Sequence, residues 1–502
     1  MTFYFYDLET SGFRSRTDRI IQFGGQRTDL NLNPLSEPDN ILIKLSEDVL
    51  PEPDAVLVHG ITPQTARADG VNEAEFGRFL TGQAATADTI FVGYNNIRFD
   101  DEFIRFTLWR NFYDAYEWQW QGGTSRWDLL DLTRLTRALR PEGINWPVDV
   151  DGKSSNRLEL LAAVNKLDHT AAHDALSDVR AVMAMARLIR AKQPKLFDYL
   201  LRLRDKNKVR ALVERGDPLV YTSGRYPSEF EKTTVAVMIT PTEDGRGALM
   251  YDLRTDPEPF LKLDATELAA KWQALWNARG RRAGSNEPIP PGQDRSEQRE
   301  YFPVKILGYN RNPALAPLTV LDKSSQQRLK LNMLSIQKNL KAVKESRDLS
   351  QKLLEAVKIM YPPAGQVEMV VDEQRVDELL YEGFVSKADK IKMSAVRAAD
   401  KDTIAKLAVD FDDERLKLLL PLYKARNFPS ASTPQERQAW ENFKYKRLLD
   451  GGPQSSAARY FKRIDELTKR PGLSEQDKHL LEELKLYGQS VVPASAQSGA
   501  QF

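Results

Sequence analysis

The chain reads as a mixed α/β protein in which strands come first and helices interleave behind them, followed by a β-containing middle segment and a run of short helices. Three observations carry this reading. Phe3-Tyr4-Phe5-Tyr6 is an apolar, aromatic run that predicts a buried first strand. Phe91 to Phe99 is a second apolar stretch, running into a polar turn. Val179, Val182, Met183 and Ala186 recur at helical spacing, so a helix packs one face inward behind them. Such an order builds layers around a shared core.

In chain order, strands are expected near 2–8, 18–28, 39–45 and 89–94, then helices near 100–113, 127–138, 155–165 and 174–192. This first domain runs over 1–195. A charged helix opens the middle domain, 196–355, ahead of strands at 218–222, 233–240 and 247–253. Between the last two, Thr242-Glu243-Asp244-Gly245-Arg246-Gly247 supplies hairpin turn chemistry. A Pro, Gly and Ser-rich interruption at 281–298 reads as an exposed loop. The third domain, 356–487, passes the break at Tyr361-Pro362-Pro363-Ala364-Gly365 and continues as short amphipathic helices. Its expected core is Leu379, Leu380, Leu416, Leu418, Leu419, Leu420, Phe443, Leu448 and Leu449. The tail, 488–502, lacks periodicity and is expected to be disordered.

At 502 residues, 41% of them hydrophobic, the chain exceeds what one core usually serves. The absence of cysteine excludes disulfides and thiolate metal sites, and suits a reducing cytosol. No signal-peptide pattern or membrane-length apolar run is present, so a soluble, cytoplasmic protein is expected. A net charge of +1 is not the footprint of a non-specific DNA coat protein. Charge is instead concentrated locally. Lys323, Arg328, Lys330, Lys338, Lys341, Lys344, Arg347, Lys352 and Lys358 face only Glu345, Asp348 and Glu355 between 323 and 358. Arg202, Arg204, Lys206, Lys208 and Arg210 form a second cluster. Each is either a solvated helix face or a track for a polyanion.

The chemistry lies in Asp7, Glu9, Asp100, His173 and Asp178. Asp7-Leu8-Glu9-Thr10 closes the first strand, where residues two apart share a face. Asp100 ends the second apolar stretch at the mouth of a helix. His173 falls at or just before a helix N-terminus, with Asp178 about a turn and a half inside. Taken singly, each is an ordinary surface acid or a capping histidine. Together they cannot crowd near apolar strand ends unless cations neutralise them, and hard oxygen ligands select magnesium or manganese. Of the other histidines, His169 and His479 read as surface. Between Asp100 and Asp131, Arg105, Trp109, Arg110, Phe112, Tyr113, Tyr116, Trp118 and Trp120 interleave aromatic and basic groups. Trp109 and Phe112 are expected in the core, and the remaining rings are available to stack on bases, at about 1–3 kcal/mol each.

Asp7-Leu8-Glu9-Thr10, the Asn96-x-x-Phe99-Asp100 box and His173-x-x-x-x-Asp178 resemble the exonuclease motifs of the DEDD superfamily in its histidine-bearing branch. His59-Gly60-Ile61-Thr62 resembles the segment that helps hold the terminal nucleotide there. Phe99-Asp100-Asp101-Glu102, Ser125 to Asp131, Ala138 to Pro147 and Tyr423-Lys424-Ala425-Arg426-Asn427-Phe428-Pro429 are similar to the bacterial exonuclease I family, single-strand-specific 3′ to 5′ deoxyribonucleases acting in DNA repair and recombination. The similarity is dense to about residue 200, thin through the middle, and returns in patches to about 450.

The resemblance implies a ribonuclease H-like exonuclease domain, an SH3-like middle domain and a C-terminal helical domain. It also implies two Mg2+ ions, with Mn2+ able to substitute. Asp7, Glu9 and Asp178 would hold the nucleophile-side ion, and Asp7 would bridge to the second, with Asp100 acting directly or through water. His173 would serve as general base, its ordinary pKa of about 6.5 lying near working pH. His59 and Arg157 would lie at the terminal nucleotide, Glu9, Thr10, Asn96 and Phe99 would bind substrate, and Arg105, Tyr116, Trp120 and Arg134 would contact the strand. The implied partner is the acidic, phenylalanine-terminated tail of single-stranded DNA-binding protein, met by Arg140 and Tyr199. Ala316 to Asp322 lacks an arginine expected at that surface, and Lys341 and Lys344 would stand in. A monomer is expected. Exoribonucleases and proofreading subunits share the motifs but are generally little more than the first domain, and a catalytically dead binding scaffold would not need the complete acid set.

Overall fold

The computed structural model describes residues 1–150, 152–167, 173–283, 301–362 and 371–492. In chain order it opens with β1 (Thr2–Thr10), β2 (Ile20–Thr28), β3 (Asp39–Leu42), α1 (Pro53–His59), α2 (Pro63–Asp69), α3 (Glu73–Phe79), β4 (Thr89–Gly93) and α4 (Asp100–Arg110). It continues with β5 (Ser125–Asp128), α5 (Leu129–Leu139), α6 (Leu158–Asn165) and α7 (Ala175–Lys192). The strands and longer helices fall within a few residues of their expected places. α1, α2, α3 and β5 were not expected. The three helices have seven residues each, too short for a repeating apolar stripe, and are set by Pro53, Pro63 and the Asn72–Glu75 capping box. β5 has four residues, and its pairing with β4 delays the helix expected from 127 until Leu129.

The first sheet has the order β3-β2-β1-β4-β5, with β2 antiparallel to β1 and β3, and β4 parallel to β1 and β5. Tyr4, Tyr6 and Leu8 pack on one face with Phe23, Phe91, Phe76, Phe103, Ile104 and Leu108. Pleating therefore turns Asp7 and Glu9 to the other face.

The chain folds into two compact units, one of Met1–Asp128, Lys166–Met185 and Met369–Phe502, the other of Leu129–Asn165 and Ala186–Glu368. Consecutive segments are thus regrouped, and the C-terminal helices share the first unit with the β1–β5 sheet. Their join is apolar and ionic. Trp109 and Phe112 are buried with Val376, Leu416, Leu419 and Tyr423, and the Trp109 indole donates to the Val376 carbonyl at 3.2 Å. Beside them Asp377 accepts from Arg19 at 2.9 Å, from both Arg426 amino groups at 2.9 Å and lies 3.0 Å from Arg447. Asp48 lies 2.7 Å from Arg426, and Arg110 binds Glu73 at 2.9 Å. Burial alone would raise the Asp48 and Asp377 carboxyls, but Arg426, Arg447 and Arg19 outweigh it and hold both below the ordinary range.

Leu379, Leu380, Leu416, Leu419, Phe443 and Leu448 are buried as expected, while Leu418, Leu420 and Leu449 are half-buried. The disordered tail expected from 488 is corrected. The last helix, Glu475–Val491, extends through Gly488, and Val491 and Val492 pack against Leu45 and Val49. Leucines at 480, 481 and 484 anchor that helix, and their pull on its end outweighs the polar composition beyond. The remainder of the tail, 493–502, lies outside the described residues.

The second unit carries β6 (Leu219–Thr222), β7 (Thr233–Pro241), β8 (Gly247–Asp252), β9 (Val304–Gly308) and β10 (Ala314–Pro317), an antiparallel sheet of order β10-β6-β7-β8-β9. The hairpin at Thr242–Gly247 is as expected, with Gly245 at φ 64°. β9 and β10 were not expected, being short and broken by Pro313. Helix Ala265–Ala283 runs into the interruption expected from 281, and 284–300 lies outside the described residues. The basic stretch is helical over Lys323–Arg328, Met333–Glu345 and Leu349–Met360. Ile336, Val343, Leu349, Leu353 and Ala356 pack on Val235, Val237, Tyr251 and Trp272, which leaves the lysines outward. Lys352 lies 2.7 Å from Asp348 and Lys358 2.7 Å from Glu243. Among the described residues no helix is long and apolar enough to cross a membrane.

Asp377→Asn leaves three arginines short of a carboxylate, and the stability at pH 7 is expected to fall by about 3–5 kcal/mol in denaturant unfolding. Because the native carboxyls are depressed, the stability they contribute is present above about pH 4 and lost as pH falls through their lowered values. The variant's deficit should therefore shrink on acidification, and a deficit independent of pH would contradict the ionic account.

Candidate active site

β1 delivers Asp7 and Glu9 to one face, and across the ladder Gly24 stands opposite Asp7 and Gln22 opposite Glu9. Gly24 has no side chain where one would collide, since an added Cβ would sit 2.5 Å from the Ala175 carbonyl carbon. That close approach seats the first turn of α7 on the sheet and brings in Asp178. Ligand oxygens of Asp7, Glu9 and Asp178 lie within 4.8 Å of one another. Asp100 opens α4, and the Leu8 N–H, between the two β1 carboxylates, donates to it.

The electrostatics follow from this crowding. Burial, then Asp100, Asp178 and Glu9, pushes the Asp7 carboxyl well above its ordinary range. Burial, then Asp178 and Asp100, raises Glu9 to about 9. Burial raises Asp100 to about 8, with Asp101 and Asp128 adding to the rise and its own N–H and that of Leu8 opposing it. Two full negative charges 4.8 Å apart repel by roughly 3.5 kcal/mol at an effective dielectric constant of about 20. An all-carboxylate donor set with that repulsion fits a hard divalent cation such as Mg2+ or Mn2+.

His173 sits exposed, immediately before α7, at φ 66°, a left-handed conformation uncommon for a residue with a side chain. His59 ends α1, where Gly60 at φ 74° reverses the chain. Its Nδ1 accepts the Ile61 N–H at 3.0 Å, so the proton resides on Nε2, a buried atom whose N–H faces the Thr10 carbonyl. Burial and the neighbouring His173 push this imidazole down to about 4. His479 is exposed on the last helix, as expected, and His169 lies outside the described residues.

Asn96 and Phe99 are drawn into the scaffold. The Asn96 amide donates to the Tyr6 hydroxyl at 3.1 Å, that hydroxyl donates to Asp101, and Asp101 also holds Arg126. Phe99 packs on Phe103 with ring centres 5.0 Å apart. The Thr10 hydroxyl is buried and donates to the Gly12 carbonyl at 2.7 Å. Of the aromatic region, Trp118 joins Trp109 and Phe112 in the core, while Tyr116 is 36% and Trp120 61% exposed. Arg105 is buried, its guanidinium held by Glu102 and, at 3.0 Å, by Gln119. It lies 5.5 Å from the Tyr116 ring centre and so braces that ring, with Tyr381 donating to the other Glu102 oxygen.

In the second unit, Arg134 is mostly buried and bonds Asp131 at 2.7 Å, whereas Arg157 is exposed beside Glu159. Arg140 donates to the Val320 carbonyl at 3.0 Å and lies 3.7 Å from Asp322. The Tyr199 hydroxyl is buried without a partner among the described residues, and burial pushes it up to about 12. Lys341 and Lys344 are exposed. Sequence reasoning missed Gln22, Gly24, Tyr6 and Asp128. The Gly24-Gly25 pair inside an apolar strand was the one legible signal, because glycine in a strand marks close backbone approach.

A sheet that sets two strand carboxylates against a third from a helix, with an imidazole at the helix mouth, defines the carboxylate-dependent exonuclease class, and residues 4–186 match the family described as Exonuclease. Residues 204–358 match the Exonuclease I SH3-like domain and 374–491 the Exonuclease I C-terminal domain, so the chain belongs to the exonuclease I family. It is 39% identical to exodeoxyribonuclease I of Escherichia coli K12 over 442 residues, 88% of each chain. It is 34% identical to the Haemophilus influenzae enzyme over 490 residues, 97% of this chain and 98% of that one. Among solved structures, a moderately thermophilic exonuclease I from Methylocaldum szegediense superposes with a TM-score of 0.86 at 39% identity, covering 98% of this chain and 100% of that one. E. coli exonuclease I with a dA16 oligonucleotide gives 0.85 at 35% identity, covering 98% and 100%. A structure described as SSB/Exonuclease I with an inhibitor gives 0.84 at 35% identity, covering 98% and 99%.

Asp7→Asn removes charge from a crowded site without changing its shape. The metal-free variant should melt above the wild type near pH 8, while losing both the stabilisation by Mg2+ and the hydrolytic activity. A metal-free melting temperature at or below that of the wild type would contradict the repulsion described above.

Proposed function

We propose that the protein releases 5′-mononucleotides from the 3′ end of single-stranded DNA by metal-assisted phosphodiester hydrolysis, in DNA repair and recombination. The observation that carries this is the meeting of the Asp7, Glu9 and Asp178 oxygens within 4.8 Å. Asp7, Glu9 and Asp178 would hold one Mg2+ or Mn2+, and Asp7 with Asp100 a second. When bound, two such ions offset the charge on the attacking and leaving oxygens.

The chain's own residues supply the proton transfer and the grip. His173 takes the proton from the attacking water, a task suited to an exposed imidazole at the mouth of α7. His59 is kept neutral by burial and would lie at the terminal nucleotide beside Glu9 and Thr10. Tyr116 and Trp120 present rings to the bases, a contact that reads no sequence. Arg105 acts by bracing Tyr116, Asn96 and Phe99 by shaping the wall, and Arg134 and Arg157 by binding phosphates. The domains would divide at 1–195, 196–355 and 356–487, and the protein would work in the cytosol as a monomer. By similarity to the SSB/Exonuclease I structure, Arg140, Tyr199, Lys341 and Lys344 would receive the acidic tail of single-stranded DNA-binding protein. Asp322, 3.7 Å from Arg140, would have to give way to that tail.

His173→Ala should lower kcat by about 10² to 10⁴ while keeping the stabilisation by Mg2+. Retained rate would remove it as the base. End-labelled DNA and RNA, single-stranded and blunt duplex, measure polarity and substrate together. The single DNA strand should be consumed from its 3′ end much faster than the duplex, whose bases are already stacked. Equal rates on both, or faster loss of RNA, would contradict the assignment.

A further inference from the structure

Gln22 lies on β2 opposite Glu9, 3% exposed, and its amide is wholly engaged at the start of α7. Nε2 donates to Asp174 Oδ1 at 2.8 Å and to Asn40 Oδ1 at 2.9 Å, while Oε1 accepts the Ala175 N–H at 3.1 Å. Asp174 and Ala175 are the two residues that follow His173. The second Asp174 oxygen accepts the Ser177 N–H at 3.0 Å, which closes the helix cap. His173 itself holds φ 66°, a conformation that persists in a residue with a side chain only where its surroundings over-determine it.

We propose that Gln22 is the positioning residue for His173. It fixes the Asp174 carboxylate and the Ala175 N–H against the strand that faces Glu9, and so sets the turn that carries the imidazole. The demand at this point is for one donor and one acceptor in a plane, which a glutamine amide meets. Glutamate would keep the acceptor for Ala175 but set a like charge against Asp174. Lysine or arginine would satisfy Asp174 but place a cation beside Glu9, in competition with a divalent ion. Gln22 touches no reacting atom and acts only through its neighbours. The inference rests on the role given to His173 above.

The test is single-turnover hydrolysis of a 3′-labelled single strand by the full chain, for Gln22→Ala and Gln22→Glu, with thermal melting alongside. The rate at saturating Mg2+ should fall about 10- to 100-fold, the range usual for a partner one shell out. The oligonucleotide KM and the Mg2+ midpoint should hold. In a His173→Ala background, Gln22→Ala should cost nothing further, because the group it positions is gone. If Gln22→Ala melts early, Gln22→Glu carries the same comparison. A wild-type rate in both variants, an additive loss in the double variant, or a shifted Mg2+ midpoint would overturn the proposal, the last pointing to Asp178 further along α7. A wild-type rate for His173→Ala alone would instead overturn the role of His173, an outcome distinct from the others.

Discussion

Repulsion between crowded carboxylates is the constraint to which the rest of the first unit answers. Asp7, Glu9 and Asp178 bring oxygens within 4.8 Å of one another, and Asp100 adds a further acid. No local preference would produce that arrangement, since each acid would be more stable in water. The β1–β2 ladder, the absence of a side chain at Gly24 and the anchored start of α7 hold them in place. The result is a site that binds protons tightly when no cation is present and gains most from a small, hard, doubly charged ion.

The same unit contains the opposite solution to the same problem. Asp48 and Asp377 are more deeply buried than Asp7, Glu9 and Asp178, yet their carboxyls are held below the ordinary range, because Arg19, Arg426 and Arg447 surround them. One acid cluster is neutralised within the chain and is structural, joining the C-terminal helices to the sheet. The other is left for an outside cation and is functional. Gln22 holds Asp174 at the start of α7, and the Tyr6 and Asn96 pair stands behind Asp101, which already engages Arg126. A free arginine among these groups would occupy the charge that the ion must supply.

The site was legible in the sequence to the extent that its residues lie on elements with strong periodicity. The aromatic alternation of β1 placed Asp7 and Glu9, and the stripe of α7 placed Asp178. What was not legible depends on contacts between distant segments. Arg105 looks like a strand contact in a basic, aromatic region, but Glu102 and Gln119 turn it inward. Asn96 sits within a recognisable box, but that its nitrogen donates to the Tyr6 hydroxyl while its oxygen has no partner among the described residues is seen only in the fold. Arg426 and Asn427 lie in a segment that resembles the family, and their work is to hold Asp377 and to accept the Ala74 N–H of α3. Short elements such as β5, β9 and β10 carry too few residues to show a period. Nor could linear order reveal that the last helices join the first unit.

The central claim is that the fold holds protons on its acids until a divalent ion replaces them. Calorimetric titration of Mn2+ into the full chain at pH 7, in two buffers of different ionisation heat, measures this directly. With Glu9 raised to about 9 and Asp100 to about 8, binding should release protons, so the observed heat should differ between buffers by the ionisation heat of each proton taken up. Saturable binding with the same heat in both buffers would contradict the account, because it would mean that the carboxylates were already ionised and waiting.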